Sequence, residues 1–300
     1  MELSDNPAIL IGVHMSAELA WGRRYLMVPP EHFRVDYAIN PFMDLADQPD
    51  PGRVRVEYDA IVAAIRAAGG EIVELGQRAD SPDMVYAMNL GFFIEVGGGS
   101  GVVLSHMRYP QRRHETASTD EWARSRGLCR WQFGKDGVGP HFEAGDAFAW
   151  RGELVVGHGF RTEELAVKNL GHDLGVTARG FRLVREGMYH LDLAFCPLDD
   201  THALVCPEAF DADSAEELLA LVPEPLLLDG EEATTFCANS IVIGRTVIMP
   251  ACPDRVRTQL EGWGFEIVIV EVSEYLKGGG AIRCLTNPLD VRLGRDLRTR

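Results

Sequence analysis

The sequence predicts an α/β protein in which five repeated units form a ring around a central cavity. Two observations support this fold class. From about Met84 the chain cycles through strand, turn, strand, polar loop, helix and strand with a period of roughly 40 to 55 residues, within or near the range of repeated architectures. The two ends of the chain supply the parts of a fifth unit, so that joining the termini closes the ring.

Each of the four continuous units opens with an apolar strand that carries polar residues, followed by a turn and a second strand. β-Branched and aromatic residues favour strands, whereas glycine and aspartate favour the turns between them. The opening strands are predicted at 84–91, 142–150, 190–195 and 237–243, and the second strands at 101–105, 153–157, 202–206 and 246–249.

A helix follows the second strand of each continuous unit. These helices are predicted near 116–126, 163–174, 214–221 and 253–263. In the fifth unit, 25–28 reads as a strand, 57–68 as a helix with apolar residues at helical spacing, and 71–75 as the closing strand, while a tail strand around Cys284 completes the set. A two-domain doubly wound protein is the alternative, although no G-x-G-x-x-G stands between a strand and a helix.

The composition is that of an ordinary globular protein with a sizeable core. The chain has 300 residues, of which 46% are hydrophobic and 25% charged, and its formal charge is −16. This charge argues against a nucleic-acid partner and suits a cationic small-molecule substrate. No apolar run approaches the ~18 residues of a membrane span, and the N-terminus lacks the basic region of a signal peptide. We therefore expect a cytoplasmic protein with no membrane partner. A homo-oligomer is possible, and the sequence does not decide the oligomeric state.

The six cysteines show no C-x-x-C pair, which argues against a structural zinc site and favours reduced thiols. Cys284 follows three glycines at 278–280 and reads as a nucleophile on a tight loop, where the backbone comes close to a small substrate. The alternative is a buried cysteine that only packs. His190 is the best partner for the thiol, because period-two spacing points His190 and Asp192 to the same side of a strand.

Polar residues open successive units, and the ring would bring them to one cavity: Asn89, Glu143, His190, Asp192 and Cys284. Glu143 and Asp146 stand between apolar residues, which implies buried charge that a cation or a histidine must pair. Each polar residue also has a simpler explanation, since Asp192 could only orient His190 and Arg108 could form a surface ion pair.

Five segments together resemble the guanidine-modifying superfamily. They are Phe33 to Pro41, Phe142-Glu-Ala-Gly-Asp146, Gly157-His-Gly-Phe-Arg161, Tyr189-His-Leu-Asp192 and Gly278-Gly-Gly-Ala-Ile-Arg-Cys284. The superfamily includes dimethylarginine dimethylaminohydrolases, arginine deiminases, arginine dihydrolases and amidinotransferases. The resemblance implies a five-bladed α/β propeller, or pentein, with residues 1–24 as an N-terminal extension and residues 25–300 as a single catalytic domain.

The resemblance also implies a mechanism without metal or organic cofactor. Cys284 thiolate attacks the central guanidinium carbon, His190 donates a proton to the departing amine, and Glu143 orients and charges His190. Water activated by His190 then hydrolyses the covalent thiouronium. The substrate-binding residues that the resemblance implies are Asn89, Asp192, Arg108, Asn40 and Asp146, of which Asp192 grips the guanidinium nitrogens and Arg108 and Asn40 bind the amino-acid end.

Asn89 departs from the pattern of the deiminases and dimethylarginine hydrolases, which usually have an aspartate in the segment matched by Met88 to Gly91. The arginine dihydrolases are similar here, with Asn-x-Gly, and convert arginine to ornithine, ammonia and carbon dioxide. We therefore expect dihydrolase chemistry. The alternatives are a dimethylargininase that releases citrulline and an alkylamine, an amidinotransferase, and a non-catalytic binding module on the same fold.

Overall fold

The computed structural model describes residues 16–96 and 99–293, and in these residues the strands form five separate three-stranded sheets. In every sheet the middle strand is antiparallel to one neighbour and parallel to the other. A helix connects each parallel pair, because parallel strands need a crossover connection. The repeating unit is therefore ββαβ, and the prediction of a five-bladed α/β propeller is confirmed.

The strands of the described residues are, in chain order, β1 Arg24–Met27, β2 Glu71–Glu74, β3 Gly91–Val96, β4 Gly99–Leu104, β5 Cys129–Trp131, β6 Ala147–Trp150, β7 Glu153–His158, β8 Ala178–Arg182, β9 Phe195–Pro197, β10 His202–Val205, β11 Glu224–Leu227, β12 Ile241–Ile243, β13 Thr246–Met249, β14 Glu266–Ile269 and β15 Asn287–Pro288. The α-helices are α1 Pro51–Ala67, α2 Arg113–Ser125, α3 Glu164–Leu174, α4 Ala212–Leu221, α5 Gly230–Thr234, α6 Asp254–Gly262, α7 Ser273–Leu276 and α8 Ile282–Leu285.

The fifth blade is assembled from both ends of the chain, as the sequence predicts. Strand β1 pairs antiparallel with β15, with Tyr25 opposite Pro288, and parallel with β2. The segment that carries Cys284 directly precedes β15. Closure of the ring therefore brings the tail of the chain to the same axis as the other blades.

Helix α1 begins six residues before its predicted start. The Asp50 side chain accepts a hydrogen bond from Arg53 N at 2.8 Å, and Pro51 occupies the first turn, where its missing N–H costs nothing. Buried residues at helical spacing, among them Val54, Tyr58 and Ile61, face the blade. The N-cap and proline signals, and not apolar periodicity alone, determine where this helix starts.

The predicted opening strands are wrong at their first residues. Asn89, Asp146 and Asp192 lie in single 3₁₀ turns at Ala87–Leu90, Ala144–Asp146 and Leu191–Leu193. Glu143 and His190 directly precede two of these turns, and the strands begin only after them. Cys284 lies in α8 and not in a tail strand. The backbone of these turns bonds partly within the turn, as Asp146 N does to Glu143 O at 3.0 Å, and partly to side chains, as Gly145 N does to Asn89 Oδ1 at 2.9 Å. The period-two argument for His190 and Asp192 was therefore incorrect.

The predicted N-terminal extension falls partly outside the described residues, since 1–15 are not among them. Trp21 Nε1 donates to Ala149 O at 2.9 Å, so the end of this segment packs against strand β6. All six cysteines are free thiols, as expected. Within residues 16–96 and 99–293, the helices are too short or too polar to cross a membrane.

Candidate active site

The inner turns of three blades converge on Gly145. Gly145 N donates to Asn89 Oδ1 at 2.9 Å. A Cβ built on Gly145 would lie 2.8 Å from Asn89 Oδ1 and 3.2 Å from both Asp192 Oδ2 and His190 Nδ1. These side chains, widely separated in sequence, therefore border one small space, as the ring predicts.

Cys284 borders the same group of residues from the fifth blade. Its thiol lies 3.7 Å from Asp192 Oδ2, and Asn239 Nδ2 donates to its sulfur at 3.2 Å. The Asn239 side-chain oxygen accepts from Cys284 N at 3.2 Å and from Ala281 N at 3.1 Å. Asn239 thus fixes the turn that carries the thiol. Sequence reasoning assigned it no role, although it is the polar residue that opens the fourth blade.

Glu143 and His190 form a buried pair. His190 Nε2 lies 2.9 Å from Glu143 Oε2. Arg161 Nη1 donates to the same carboxylate oxygen at 3.1 Å, and Arg108 N donates to the other at 2.9 Å. Because the carboxylate accepts the His190 Nε2–H, the neutral ring has its lone pair on Nδ1, the atom that faces the space above Gly145.

Arg161 is a second residue that sequence reasoning left without a role, although it ends one of the motif segments. Its guanidinium is buried between the rings of Tyr109 and Tyr189, at 4.8 and 4.5 Å from their centroids. It also donates to Ile39 O at 2.9 Å. Arg161 therefore links the long connection between β1 and α1 to the Glu143 carboxylate.

Burial sets the protonation states of the empty site. It raises the pKa of the Cys284 thiol well above its usual value, and it lowers the pKa of His190 to about 4 against the opposing effect of Glu143. Burial also raises the pKa of Asp192 to about 7. For Glu143, burial is outweighed by Arg161 and His190, which hold its pKa well below the ordinary range. The resting site thus pairs a neutral thiol and a neutral imidazole with an anionic Glu143.

The three glycines before Cys284 have a packing reason. A Cβ on Gly278 would clash with the Tyr86 hydroxyl, and one on Gly280 would lie 2.5 Å from the Tyr86 ring and 2.9 Å from Cys284 Cβ. Gly279 has a φ of +89° and would place a Cβ 2.6 Å from Asn40 Oδ1. The close approach that these glycines permit in the structure is to the side chains of Tyr86 and Asn40, and approach of this backbone to a substrate stays a prediction.

Three predicted substrate-binding residues have protein partners in the structure. Asn40 Nδ2 donates to Gly278 O at 3.0 Å, so this residue holds the connection between β1 and α1 against the glycines. The Arg108 guanidinium is half-exposed and lies 3.8 Å from Glu163. Asp146 is buried, accepts from Leu191 N at 2.9 Å, and has a pKa raised well above the usual value by burial. Substrate contacts for all three stay predictions.

Over residues 30–291 the sequence matches the family model for N,N dimethylarginine dimethylhydrolase, eukaryotic. The chain belongs to this family. The curated relatives include a dimethylarginine dimethylaminohydrolase of Mycobacterium tuberculosis, 32% identical over 266 residues that cover 88% of this chain and 85% of that protein. They also include a bifunctional arginine dihydrolase/ornithine cyclodeaminase, AgrE, of Nostoc sp., 33% identical over 88% of this chain but only 37% of that protein.

Among solved structures, the N-terminal domain of ArgZ, a cyanobacterial arginine dihydrolase, was crystallised with product bound. It superposes with a TM-score of 0.85 and 28% identity, over 91% of this chain and 99% of that domain. The fold is the pentein of the guanidine-modifying superfamily. This member of the dimethylargininase family is accordingly a hydrolase that acts on C–N bonds of a guanidino group.

For this family member we expect Gly145→Ala to reduce kcat/KM by about 100-fold, because the new methyl group would occupy the space between Asn89, Asp192 and His190. The fold should survive, since Gly145 has no positive φ. Gly76→Ala is the matched control, because a Cβ there meets no atom within 4 Å. Equal activity of the two variants would show that substrate does not use this space.

Proposed function

We propose that the enzyme hydrolyses arginine twice and releases ornithine, two ammonia molecules and carbon dioxide. Asn89 is the observation that carries this proposal, because its neutral amide borders the space that His190 and Asp192 share. The first hydrolysis turns a cationic guanidinium into a neutral ureido group. An amide can both donate to and accept from a ureido group. An aspartate at position 89 could only accept, and its cationic partner would disappear after the first hydrolysis.

Each of the two hydrolyses has two halves, and the first half depends on Cys284, His190 and Glu143. A bound guanidinium lowers the cost of the Cys284 thiolate, because the two opposite charges lie close together in a buried site. The thiol proton passes to the Nδ1 lone pair of His190, and Glu143 stabilises the resulting imidazolium. The thiolate attacks the guanidinium carbon, and His190 returns the proton to the nitrogen that leaves as ammonia. The product of this half is a thiouronium on Cys284.

Hydrolysis completes the round. His190, now neutral, takes a proton from water as the water oxygen attacks the thiouronium carbon, and the carbon–sulfur bond breaks to leave the ureido product and Cys284. In the second round the Cys284 sulfur attacks the ureido carbon, His190 protonates the remaining terminal nitrogen, and this nitrogen leaves as ammonia while a thiocarbamate forms on Cys284. Water hydrolyses the carbon–sulfur bond to give the free thiol and an N-carbamate of ornithine. The carbamate C–N bond then breaks, with the proton passing to nitrogen, to give ornithine and carbon dioxide.

Asp192 holds the guanidinium in this proposal, since its Oδ1 has no hydrogen-bond partner among the described residues and its Oδ2 lies beside the thiol. Arg108 binds the substrate carboxylate in this proposal. Its guanidinium is half-exposed, and its ion pair with Glu163 is long, at 3.8 Å, so the group can turn towards a ligand. Asn40 supports the site indirectly, because it holds Gly278 by a hydrogen bond. Asp146 does the same for the turn that carries Asp192, because it accepts from Leu191 N.

Structures of the relatives support covalent chemistry at a cysteine. ArgZ has been crystallised with substrate when one cysteine was replaced by serine, and with a covalently bound reaction intermediate when one asparagine was replaced by serine. AgrE has been crystallised with L-arginine when one cysteine was replaced by alanine. Dimethylargininase chemistry, which would give citrulline and an alkylamine, is the second candidate, and the family model and the mycobacterial relative favour it.

Product analysis tests the proposal. The enzyme is incubated with arginine, citrulline, methylated arginines and agmatine, and products are quantified by mass spectrometry, with and without an amine acceptor to reveal amidine transfer. Ornithine from arginine is the expected product. Citrulline and methylamines from methylated arginine, without ornithine, would replace the proposal with the second candidate.

We expect Asn89→Asp to shift the product of arginine from ornithine towards citrulline. The carboxylate keeps the acceptor for Gly145 N, which Asn89 Oδ1 meets at 2.9 Å, but loses the amide donor that a ureido intermediate would use. The measurement is the citrulline to ornithine ratio, which we expect to rise at least about tenfold, equivalent to one lost hydrogen bond. An unchanged ratio would remove Asn89 from product control.

A further inference from the structure

Asn239 is a buried amide whose hydrogen bonds join the turn of the nucleophile to a neighbouring blade. Its Oδ1 accepts from Ala281 N at 3.1 Å and from Cys284 N at 3.2 Å. Its Nδ2 donates to Asp192 O at 3.1 Å and to Cys284 Sγ at 3.2 Å. The side chain is fully buried. The donors and acceptors of this amide are thus all directed at the turns that carry Cys284 and Asp192.

The partners of Asn239 fix the orientation of its amide. Two of them are backbone N–H groups, which can only donate, so they face the amide oxygen. A third is the Asp192 carbonyl, which can only accept, so it faces Nδ2. The second hydrogen of Nδ2 then has the Cys284 sulfur as its acceptor. The contact at 3.2 Å is therefore an N–H···S hydrogen bond, and not an approach of the amide oxygen to the sulfur.

The backbone before Asn239 is held in an unfavourable conformation. Phe236 has a φ of +61°, in the left-handed region that bulky residues rarely adopt. Asn239 N donates to Phe236 O at 2.8 Å, so the strained residue belongs to the same turn. Strain of this kind persists only where the surrounding structure holds it, and it is concentrated at functional sites. This turn places the Asn239 amide beside the sulfur.

We propose that Asn239 is a catalytic residue that stabilises the Cys284 thiolate through the hydrogen bond from Nδ2 to the sulfur. This inference rests on the proposed function for the role of Cys284 as nucleophile. An ionised sulfur is a stronger acceptor than a thiol, so the hydrogen bond favours the charged form. Burial and the Asp192 carboxylate raise the pKa of the thiol, whereas the Ala281 N–H and the Asn239 amide lower it. Asn239 thus opposes the influences that keep the sulfur neutral.

The same hydrogen bond acts at two steps of each round. When the thiol proton passes to His190, negative charge forms on a sulfur that lies 3.2 Å from Asn239 Nδ2. When water attacks the thiouronium carbon, the carbon–sulfur bond breaks and its electron pair stays on the sulfur, beside the same donor. In the covalent intermediate the sulfur carries no negative charge, and the hydrogen bond is weaker. An interaction that strengthens as charge develops lowers the barriers of both steps.

Alkylation of Cys284 by iodoacetamide at pH 9 tests the proposal without any substrate. The rate constant is read from the mass of the peptide that carries Cys284, in the wild type and in Asn239→Ala. Loss of one hydrogen bond to a charged group raises the pKa of the thiol by at least about one unit. The greater nucleophilicity of a more basic thiolate offsets about half of this effect. We therefore expect Asn239→Ala to be alkylated at least about threefold more slowly than the wild type.

A merely structural role for Asn239 predicts the opposite sign, because a loosened turn exposes the buried thiol and speeds its alkylation. Asn287→Ala is the matched control. Asn287 is also a fully buried asparagine and donates to the carbonyls of Ala87, Met88 and Gly91, but none of these bonds reaches the sulfur. Its alkylation rate should equal or exceed that of the wild type. An unchanged or faster alkylation of Asn239→Ala would overturn the proposal.

Asn239→Asp separates the donor of the amide from its acceptor. The carboxylate keeps an acceptor for Ala281 N and Cys284 N, and these two donors favour its ionised form at pH 9. It lacks the hydrogen atoms that reach the sulfur and Asp192 O. Because the turn keeps its two backbone hydrogen bonds, a loss of activity reports the donor. We expect kcat at pH 9, with the substrate that product analysis identifies, to fall at least about tenfold.

Wild-type kcat in Asn239→Asp would mean that Asn239 only holds the turn, and would refute the proposal. If Asn239→Ala does not fold, the alkylation rate and kcat of Asn239→Asp decide the question. A wild type that converts no guanidino compound, but whose alkylation depends on Asn239 as expected, would refute the proposed function and leave the stabilised thiolate. Equal kcat in the wild type and both Asn239 variants would refute the role of Asn239 and leave the proposed function.

Discussion

Cys284→Ala is expected to reduce turnover of every guanidino substrate by at least about 10⁴-fold and to leave the protein folded. In the proposed mechanism the sulfur is the atom that forms the covalent bond to carbon, and the alanine methyl group cannot replace it. Cys284 is buried, and its replacement by alanine removes a single atom from contact with Asn239 and Asp192. The measurement is initial-rate product formation, together with the melting temperature.

Cys206→Ala is the matched control for this experiment, because Cys206 is an equally buried thiol that directly follows β10 and is not part of the proposed catalytic set. Its kcat/KM should stay within about twofold of the wild type. Intact-mass analysis of samples quenched with acid during turnover adds a direct readout, since the wild type should carry a thiouronium adduct that Cys284→Ala lacks. Equal activity of the two variants would eliminate Cys284 as the nucleophile.

His190→Gln is expected to reduce kcat about 10³-fold, because in the proposed mechanism the protonation of the leaving nitrogen and the activation of water both lose their proton carrier. Glutamine retains a donor for Glu143, so the buried carboxylate keeps a partner and the fold should persist. Added imidazole or a better leaving group should recover part of the rate. Rates are measured from pH 5 to pH 10 with arginine.

His202→Gln provides a closely matched control. His202 is also a buried histidine with a carboxylate partner, with Nδ1 2.9 Å from Asp199, but it lies outside the inner turns. Its replacement should affect stability and not kcat. Equal losses for the two histidines would indicate that His190 has only a structural role.

The direction in which kcat/KM changes with pH follows from the pKa values of His190 and Asp192. Because burial lowers the pKa of His190 to about 4, this residue is already neutral at pH 5 and does not limit activity there. Asp192, with a pKa of about 7, must lose its proton to bind a cation. The wild-type kcat/KM should therefore rise with pH through about 7, and the His190→Gln variant should retain this rise at its lower level.

Much of the architecture and the set of polar openers could be predicted from the sequence, because both depend on local patterns. The ββαβ repeat is encoded in alternating apolar residues, turns and helical periodicity, and the fifth blade follows from incomplete units at the two ends. Once the ring closes, Cys284, Glu143 and His190 must approach the axis. Strand and helix starts were predicted less well, since Asp50 and the 3₁₀ turns depend on capping and pairing at single residues.

Only the tertiary structure identified Asn239 and Arg161 as neighbours of Cys284 and Glu143. Asn239 precedes β12 and contacts Cys284 of another blade, whereas Arg161 and Glu143 flank strands β6 and β7 of the same blade and meet only because the chain turns back on itself. A sequence records which residues are adjacent along the chain, whereas the burial and electrostatics that set a pKa act across space. The sequence by itself therefore determined the ring and its chemical groups, and the packing of the ring decided their charges and their supporting contacts.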